Sequence, residues 1–274
     1  MPLKRRISVS PRLSILGGLF VSFVEFFRFR PIRWMSLFFD YVRDFSTYRR
    51  TNTHALLSND RIVWYPCLGD AEVSNPVEPI YFTQSCWCAR KVFDAAPERH
   101  VDVGSSVVML GIIAQGVPTV FVDIRDLPMV VPGLTYVEGS ILSLPFEDAS
   151  IESLSSICVI EHIGLGRYGD PIDSDGSEKA LAELARVLSD DGDLYITVPV
   201  DDTDRIYFNA HRAFTPTRLA DLFTENRLQS VESLYLYDTD LGAMWLPERG
   251  FGTGFYHLRK TSINDTGNDG ELEG

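Results

Sequence analysis

An acid, a glycine and a second acid stand at a spacing that suits the binding of a nucleoside. Apolar residues in the stretch His-Val-Asp-Val-Gly-Ser-Ser lead into a turn that holds Asp102 and Gly104. Asp123 comes about twenty residues after Asp102, at the end of a second apolar run. An acid at that distance accepts hydrogen bonds from the ribose hydroxyls of a bound nucleoside. The alternative is a structural acid that caps a helix or pairs with Arg125, and the spacing favours the nucleoside.

The single glycine of this turn discriminates between cofactors. A dinucleotide brings a pyrophosphate close to the backbone, which normally requires three glycines. S-adenosylmethionine has no phosphate, and its amino-acid end presents an ammonium and a carboxylate. We expect Asp102 to serve the ammonium side, with the Gly104 backbone and the hydroxyls of Ser105 and Ser106 as further contacts. The residues therefore favour S-adenosylmethionine.

Glu161, His162 and His211 are the candidate catalytic residues. Glu161 and His162 end a fourth apolar run, and His211 follows a fifth. Methyl transfer depends mainly on aligning the acceptor with the methyl group, and a hydroxyl or amine acceptor also needs a base. We expect His162 or His211 to be that base, and Glu161 to orient a partner or the cofactor. The alternative is that the Glu–His pair only fixes the following loop.

A glycine-rich segment over residues 164–176 is predicted to be a substrate-facing flap, because loops often carry function. The predicted substrate-binding residues are Arg167, Tyr168 and Asp170 of this flap, together with Asn209 and Arg212. Arg212 would face a phosphate or carboxylate. The alternative is a rigid cluster of turns in which the Arg–Asp pair is internal.

The order of HVDVGSS, VFVDIR, YVEGSILSLPFEDASIESLSSICVIEHI and LARVLSDDGDLYITVP resembles the class I S-adenosylmethionine-dependent methyltransferases over about residues 98–200. The resemblance implies this cofactor and a small-molecule or glycan acceptor. It also implies that Ile141 packs beside the adenine, where Ser140 replaces the acid that often contacts the adenine amino group. Ile124, next to Asp123, joins the same predicted cofactor site.

A narrower resemblance is carried by VIEHIGLGRYGDPIDSDG, VPVDDTDRIYFNAHRAF and YFTQSCWCARKVF. These stretches are similar to a little-characterised bacterial group of methyltransferase-like proteins that is associated with the synthesis of cell-surface polysaccharides.

Strands that alternate with helices predict a Rossmann-like, doubly wound α/β fold whose mostly parallel sheet binds ligands at the carboxyl ends of its strands. The predicted strands lie in 99–105, 119–125, 134–140, 151–163 and 194–200, with an antiparallel C-terminal pair at 231–237 and 254–260. The predicted helices are a short one after the Gly104 turn and three at 84–95, 178–188 and 216–226, the last capped by Thr215.

Charge divides the chain into a basic head and an acidic body. Residues 1–50 hold ten Lys or Arg and three Asp or Glu, a net +7, and the rest carries −20. We predict a basic amphipathic helical segment at 1–50, a connecting segment with a leading helix at 51–97, a methyltransferase-like domain at 98–262 and a disordered acidic tail at 263–274.

The basic head, with apolar faces at 13–27 and 37–45, suits an anionic membrane surface, so we expect a cytoplasmic protein peripheral to the inner face of the membrane. The alternative is that these helices pack on the main domain or on a partner. The acidic body argues against nucleic acid. The spacing of Cys86 and Cys88 is unlike that of zinc ligands, so no metal site is predicted.

Two competing functions remain. A catalytically inactive binding or scaffold protein of the same fold is favoured by the missing glycines, by Ser140 and by bulky Val107, Val108 and Met109 after the turn. A nicotinamide-dependent sugar enzyme would need a Tyr and a Lys side by side on a helix. Tyr256 and Lys260 fall in a predicted strand, roughly 13 Å apart.

Overall fold

The structure is a computed structural model that describes residues 30–53, 62, 64, 66–68 and 77–262. The chain divides into two compact units, residues 1–76 and 77–274, so the leading helix belongs to the second unit. The apolar face predicted at 13–27 and the acidic tail predicted at 263–274 lie outside the described residues.

The first unit contains one described helix, α1 (Arg30–Thr51), which matches the second amphipathic pattern of the basic head. Pro31 lies in its first turn, where a missing N–H costs nothing. Trp64 packs edge-on against Tyr41 and Phe45, with ring centroids 4.8 Å apart in each case. Among the described residues, no helix has the length and apolarity needed to cross a bilayer.

The second unit is built on an eight-stranded sheet with the order β3-β2-β1-β4-β5-β10-β8-β9. The strands are β1 (His100–Val103), β2 (Thr119–Asp123), β3 (Leu134–Glu138), β4 (Ile151–Ile157), β5 (Leu188–Val200), β8 (Leu228–Tyr237), β9 (Asp240–Gly242) and β10 (Gly252–Lys260). Strands β1 to β5 are parallel, and β10 lies antiparallel between β5 and β8. The predicted fold class and the antiparallel C-terminal pair are confirmed.

Helices cover both faces of this sheet. They are α2 (Pro79–Ala95), α3 (Val107–Ile113), α4 (Gly176–Val187) and α5 (Pro216–Glu225). Leu184 and Leu222 of α4 and α5 share one buried cluster with Val101, whereas Trp87 of α2 and Leu110 of α3 share another. The residues of β1 alternate between these faces, so Asp102 points toward the side of α2 and α3.

The caps explain where two of the helices begin. Thr215 accepts a hydrogen bond from the N–H of Arg218 at 3.2 Å, which confirms the predicted start of α5. Helix α2 begins at Pro79 rather than at the predicted Gln84, because a Glu78 carboxylate oxygen accepts the N–H of Tyr81 at 2.6 Å. This earlier start adds Tyr81 to the helix, on the same face as Gln84.

Some short elements were not predicted. A separate hairpin pairs β6 (Arg205–Tyr207) with β7 (His211–Ala213), and β5 begins at Leu188 rather than at Leu194. All of β6 is exposed, so it lacks the alternation of apolar residues by which a strand is recognised. Asp191 has a φ of +60° inside the extended β5, where the sequence predicted only a turn.

Candidate functional site

A cavity of about 430 Å³ opens at the carboxyl ends of β1, β2 and β4, a size that suits one small ligand. Its wall consists of Val103, Gly104, Val122, Asp123, Ile124, Arg125, Gly139, Ser140, Ile141, Leu142, Cys158, Val159, His162, Ile163, Tyr168, Gly169, Asp170 and Pro171. Two predicted groups of residues therefore meet there: the turn and strand ends of the cofactor site, and the flap of the acceptor site.

Gly104 is required at the floor of this cavity. Its φ is +76°, a conformation that L side chains rarely adopt, and an added Cβ would lie 3.0 Å from Cγ1 of Val159. The glycine therefore leaves space at the point where the backbone of the turn faces the cavity. Val107, Val108 and Met109, which were expected to crowd this region, are not part of the cavity wall.

Asp102 lies beneath the cavity rather than on its wall. The side chain is fully buried, and its oxygens accept hydrogen bonds from the Ser105 N–H at 3.0 Å, the Ser105 hydroxyl at 2.7 Å and the Ser155 hydroxyl. Burial raises the pKa of Asp102 to about 6, against the lowering effect of these hydrogen bonds. Asp102 orders the turn from below the cavity, and its contact with a ligand ammonium stays a prediction.

The two serines of the turn also differ from their predicted role as ligand donors. The Ser105 hydroxyl donates to Asp102 and accepts the N–H of Ile157 at 2.8 Å, so the protein itself uses it. Ser106 is exposed at the start of α3, and neither serine belongs to the cavity wall. Of the four residues predicted to contact the cofactor from this turn, only Gly104 is part of the cavity wall.

Asp123 stands on the cavity wall at the end of β2, as its spacing predicted, and is 6% exposed. One carboxylate oxygen accepts the backbone N–H of Arg125 at 2.8 Å and its Nε at 3.0 Å, and the other accepts Nη2 at 2.8 Å. Asp123 therefore pairs with Arg125, which was the alternative considered for this acid. The pair uses the same carboxylate oxygens that the predicted ribose contact would use.

The residues predicted to surround an adenine line the same part of the cavity. Ile124 is about half exposed, and Ile141 is buried. The Ser140 hydroxyl accepts the N–H of Leu142 at 3.2 Å, which holds the turn after β3. Two apolar side chains thus flank this part of the cavity beside Asp123.

Glu161 and His162 lie in a single 3₁₀ turn, Ile160–His162, directly after β4. His162 belongs to the cavity wall, and its Nδ1 lies 2.7 Å from the carbonyl oxygen of Ala210. Burial lowers the pKa of His162 to about 4, so the ring is neutral at neutral pH. Its Nδ1–H therefore donates to Ala210, which leaves Nε2 with a lone pair.

Glu161 is almost completely buried behind His162. Its Oε1 is 3.7 Å from Nε2 of His162, beyond hydrogen-bond length, and its Oε2 has no partner in the described part of the chain. Burial raises the pKa of Glu161 to about 8, so this carboxyl is mainly protonated at neutral pH. A neutral acid thus stands beside a neutral imidazole.

His211 does not reach the cavity wall. It lies on β7, where its ring packs 5.0 Å from Tyr207 and 5.6 Å from Phe251. Burial lowers the pKa of His211, as does the nearby positive charge of Arg167. Of the two histidines proposed as a base, the structure brings only His162 to the cavity.

The flap folds around Asp170. One oxygen of its carboxylate accepts the N–H groups of Gly164 at 2.6 Å and Gly166 at 3.3 Å, and the other accepts the N–H of Tyr168 at 3.2 Å. Burial acts to raise the pKa of Asp170, but these hydrogen bonds dominate and lower it. Asp170 lines the cavity but is largely occupied in shaping the flap.

Arg212 and Asn209, which were predicted to bind the substrate, lie outside the cavity wall. Arg212 is 5% exposed and donates to the backbone oxygens of Ile163, Asp173 and Ser174 and to the hydroxyl of Ser177. It therefore ties the base of the flap to β7. Asn209 is exposed on the hairpin, outside the cavity wall.

The sequence did not single out the apolar wall or the polar support behind it. Val159 and Ile163 line the cavity, and the Cys158 thiol donates to Oε1 of buried Gln84 at 3.1 Å. Gln84 comes from α2, 74 positions away from Cys158. No local pattern marks such a contact, although Val159 and Ile163 flank the Glu–His pair that the sequence did mark.

Comparisons with known proteins bear on the fold. A family model described as "Caenorhabditis protein of unknown function, DUF268" matches residues 146–232, a span that includes the flap and the hairpin. No curated protein matches the sequence. Many solved structures are similar to the second unit.

One of these is the Burkholderia thailandensis 1,6-didemethyltoxoflavin-N1-methyltransferase, whose crystal structure contains 1,6-didemethyltoxoflavin and S-adenosylhomocysteine. It is 18% identical with a TM-score of 0.50, and the match covers 65% of this chain and 79% of that one. A Galdieria sulphuraria protein assigned as a sarcosine dimethylglycine methyltransferase is 16% identical with a TM-score of 0.50, over 66% of this chain and 86% of that one. The second unit thus has the fold of the class I S-adenosylmethionine-dependent methyltransferases.

Proposed function

We propose that the protein is an S-adenosylmethionine-dependent methyltransferase acting on a small-molecule or glycan acceptor. The observation that carries the proposal is one cavity with an acid at the end of β2 and a neutral imidazole after β4. Asp123 ends β2 and His162 follows β4, and these two strands lie on either side of β1 in the sheet. Both residues therefore stand at the carboxyl ends of parallel strands, which is where such folds bind their ligands. The likeness to a methyltransferase bound to S-adenosylhomocysteine supports the choice of cofactor.

The residues present fit this cofactor. Asp123 would accept the ribose hydroxyls, and Ile124 and Ile141 would flank the adenine. Gly104 leaves space that a Cβ would fill, where the methionyl arm would approach the backbone. The cofactor supplies an electrophilic methyl group, and the chain has to align an acceptor with it.

His162 is the residue that we propose to receive a proton from the acceptor. Its Nδ1–H is committed to the Ala210 carbonyl, and its Nε2 lone pair is not committed to Glu161 at 3.7 Å. A hydroxyl or amine loses a proton as it is methylated, and a neutral imidazole with an uncommitted Nε2 lone pair can receive it. Glu161 is a positioning residue in this proposal, because it lies 3.7 Å from Nε2 of the imidazole and is not part of the cavity wall.

The test is calorimetric titration with S-adenosylmethionine and S-adenosylhomocysteine. Asp123→Ala should weaken binding by about tenfold or more, because it removes two charge-assisted hydrogen bonds to the ribose. Asp148→Ala is the matched control, since it removes an acid paired with Arg186 away from the cavity. Absence of binding by the unaltered protein would remove the proposal, and binding that survives Asp123→Ala would mean that the ribose lies elsewhere.

The finer parts of this proposal concern the acceptor and the location. The narrower resemblance supports a glycan linked to surface polysaccharide synthesis. The exposed Trp34, Met35 and Phe39 of α1 support attachment to the cytoplasmic face of a membrane. They equally favour the second candidate, a binding or scaffold protein at that surface. Binding of S-adenosylmethionine without methyl transfer to any acceptor would favour this second candidate.

A further inference from the structure

Arg167 is held in place at the cavity mouth without an acidic partner in the described part of the chain. Its Cζ lies 5.2 Å from the ring centroid of Tyr168, which is part of the cavity wall. Its Nη1 donates to the Ala210 carbonyl at 3.0 Å, and its Nε and Nη2 make no hydrogen bond with any described residue. A guanidinium fixed in this way has donors left for another acceptor.

Arg125 approaches the same ring from the cofactor side. Its Cζ lies 5.0 Å from the centroid of Tyr168, and 59% of its side chain is exposed. Two guanidinium groups thus lie about 5 Å from the ring centroid of one tyrosine of the cavity wall. The chain as a whole carries −13, so this pairing of cations is not a general property of its surface.

The pairing of Arg125 with Asp123 depends on what else Asp123 binds. A carboxylate has about four acceptor positions, and Arg125 fills three of them, two on one oxygen and one on the other. A ribose diol that uses both oxygens must displace at least one of these hydrogen bonds. The backbone N–H of Arg125 is fixed by the chain, so the side chain gives way and its guanidinium becomes available above Tyr168.

We propose that Arg125 and Arg167 form an oxyanion site for the acceptor, which therefore carries a carboxylate or a phosphate. Planar guanidinium groups pair with either group through parallel hydrogen bonds. The inference rests on the proposed function in calling the bound anion a methyl acceptor and in placing the cofactor ribose on Asp123. Occupation of Asp123 by the ribose strengthens the site by releasing Arg125, so the anion binds after the cofactor.

Asp170 and Glu161 form no ion pair with Arg125 or Arg167 in the described part of the chain. The Asp170 carboxylate accepts three backbone N–H groups of its own flap, and Glu161 is buried behind His162. Arg212, the residue that the sequence assigned to an anion, is occupied by four protein oxygens. Arg125 and Arg167 therefore take over the role predicted for Arg212.

The probes for this site are inorganic phosphate and acetate, titrated into the full-length protein and followed by NMR of the arginine Nε–H groups. Both anions should shift the Arg167 signal, and Arg167→Gln should weaken their binding by about tenfold. Asp123→Asn frees Arg125 without any cofactor and should tighten binding severalfold. Arg259→Gln is the control of matched charge, because Arg259 pairs with Asp193 far along β5 from the cavity.

Each outcome decides a separate point. A preference for phosphate or for acetate assigns the anion to a phosphorylated or a carboxylated acceptor. Equal binding by the unaltered protein and Arg167→Gln, or no tightening in Asp123→Asn, would overturn the oxyanion site. These titrations contain no S-adenosylmethionine, so the methyltransferase proposal can fail by calorimetry while the anion site stands, and the reverse is equally possible.

Discussion

At the scale of single residues, the chain places acids of the same type in opposite environments. Asp102 and Asp123 end neighbouring strands, yet only Asp123 belongs to the cavity wall. Asp102 lies in a buried chain of hydrogen bonds with Ser155, whose hydroxyl is 2.9 Å from Nε2 of His100. Burial lowers the pKa of His100 to about 3, so this network holds a neutral ring under the Gly104 turn.

Glu161→Gln should become progressively more stable, relative to the unaltered protein, as the pH rises from about 4.5 to 8. Burial raises the pKa of Glu161 to about 8 in the folded state, so the folded protein binds a proton that the unfolded chain has released. Across this window Glu161 ionises in the unfolded chain but not in the folded protein. The free energy of unfolding therefore falls by up to about 1.4 kcal/mol per pH unit, and the amide variant has no such loss. Urea unfolding at a series of pH values measures the difference.

Glu183→Gln provides a control of opposite sign. Its hydrogen bond and ion pair with Arg186 lower the pKa of Glu183, so the carboxylate stabilises the fold above its unfolded pKa and loses that effect in acid. Replacing Glu183 should therefore destabilise the protein at neutral pH. A difference between Glu161→Gln and the unaltered protein that stays constant with pH would contradict a buried, neutral Glu161.

At the scale of elements, the segment after β4 is organised by contacts with the hairpin. The Ala210 carbonyl accepts from both His162 and Arg167, while Arg212 holds the base of the flap. The hairpin therefore sets the orientation of the imidazole and of the cation beside it. A change in the hairpin should reach the site through these contacts without touching a ligand.

Arg212→Gln should lower the free energy of unfolding by about 2–4 kcal/mol, because a buried charged donor is lost from four oxygens. Faster amide hydrogen exchange over residues 164–176 should accompany this loss. Arg218→Gln is the control: Arg218 forms a half-exposed ion pair with Glu178, which contributes about 0–1 kcal/mol. If Arg212→Gln is as stable as that control, the flap is not anchored by this side chain.

At the scale of the whole molecule, the uneven charge remains the main guide to partners. Helix α1 exposes Trp34, Met35 and Phe39, while its Asp40 and Asp44 are both paired with Arg43. An apolar face next to arginines suits the interface of an anionic bilayer, where aromatic rings insert and guanidinium groups meet lipid phosphates. The membrane proposal therefore concerns the first unit, and the chemistry concerns the second.

The full-length protein should co-sediment with vesicles that contain anionic lipid and not with neutral vesicles. Phe39→Ser should weaken this binding by about fivefold or more, because it removes a large apolar side chain from the bilayer interface. Val130→Ser is the control, since Val130 is 99% exposed in the second unit. Equal binding to both kinds of vesicle, or equal binding by Phe39→Ser, would count against a membrane surface as the partner.

The sequence by itself determined the α/β class, the order of strands and helices, the cap at Thr215 and the position of Asp123 at a strand end. These features depend on local periodicity and on short spacings, which a linear pattern records. Tertiary structure alone decided that Asp102 is buried beneath the cavity wall and that Arg212 anchors the flap. The first depends on the face of β1 from which the side chain projects, and the second on partners far along the chain. The Ile163 carbonyl that binds Arg212, for example, is 49 positions away, a relation set by packing rather than by local pattern.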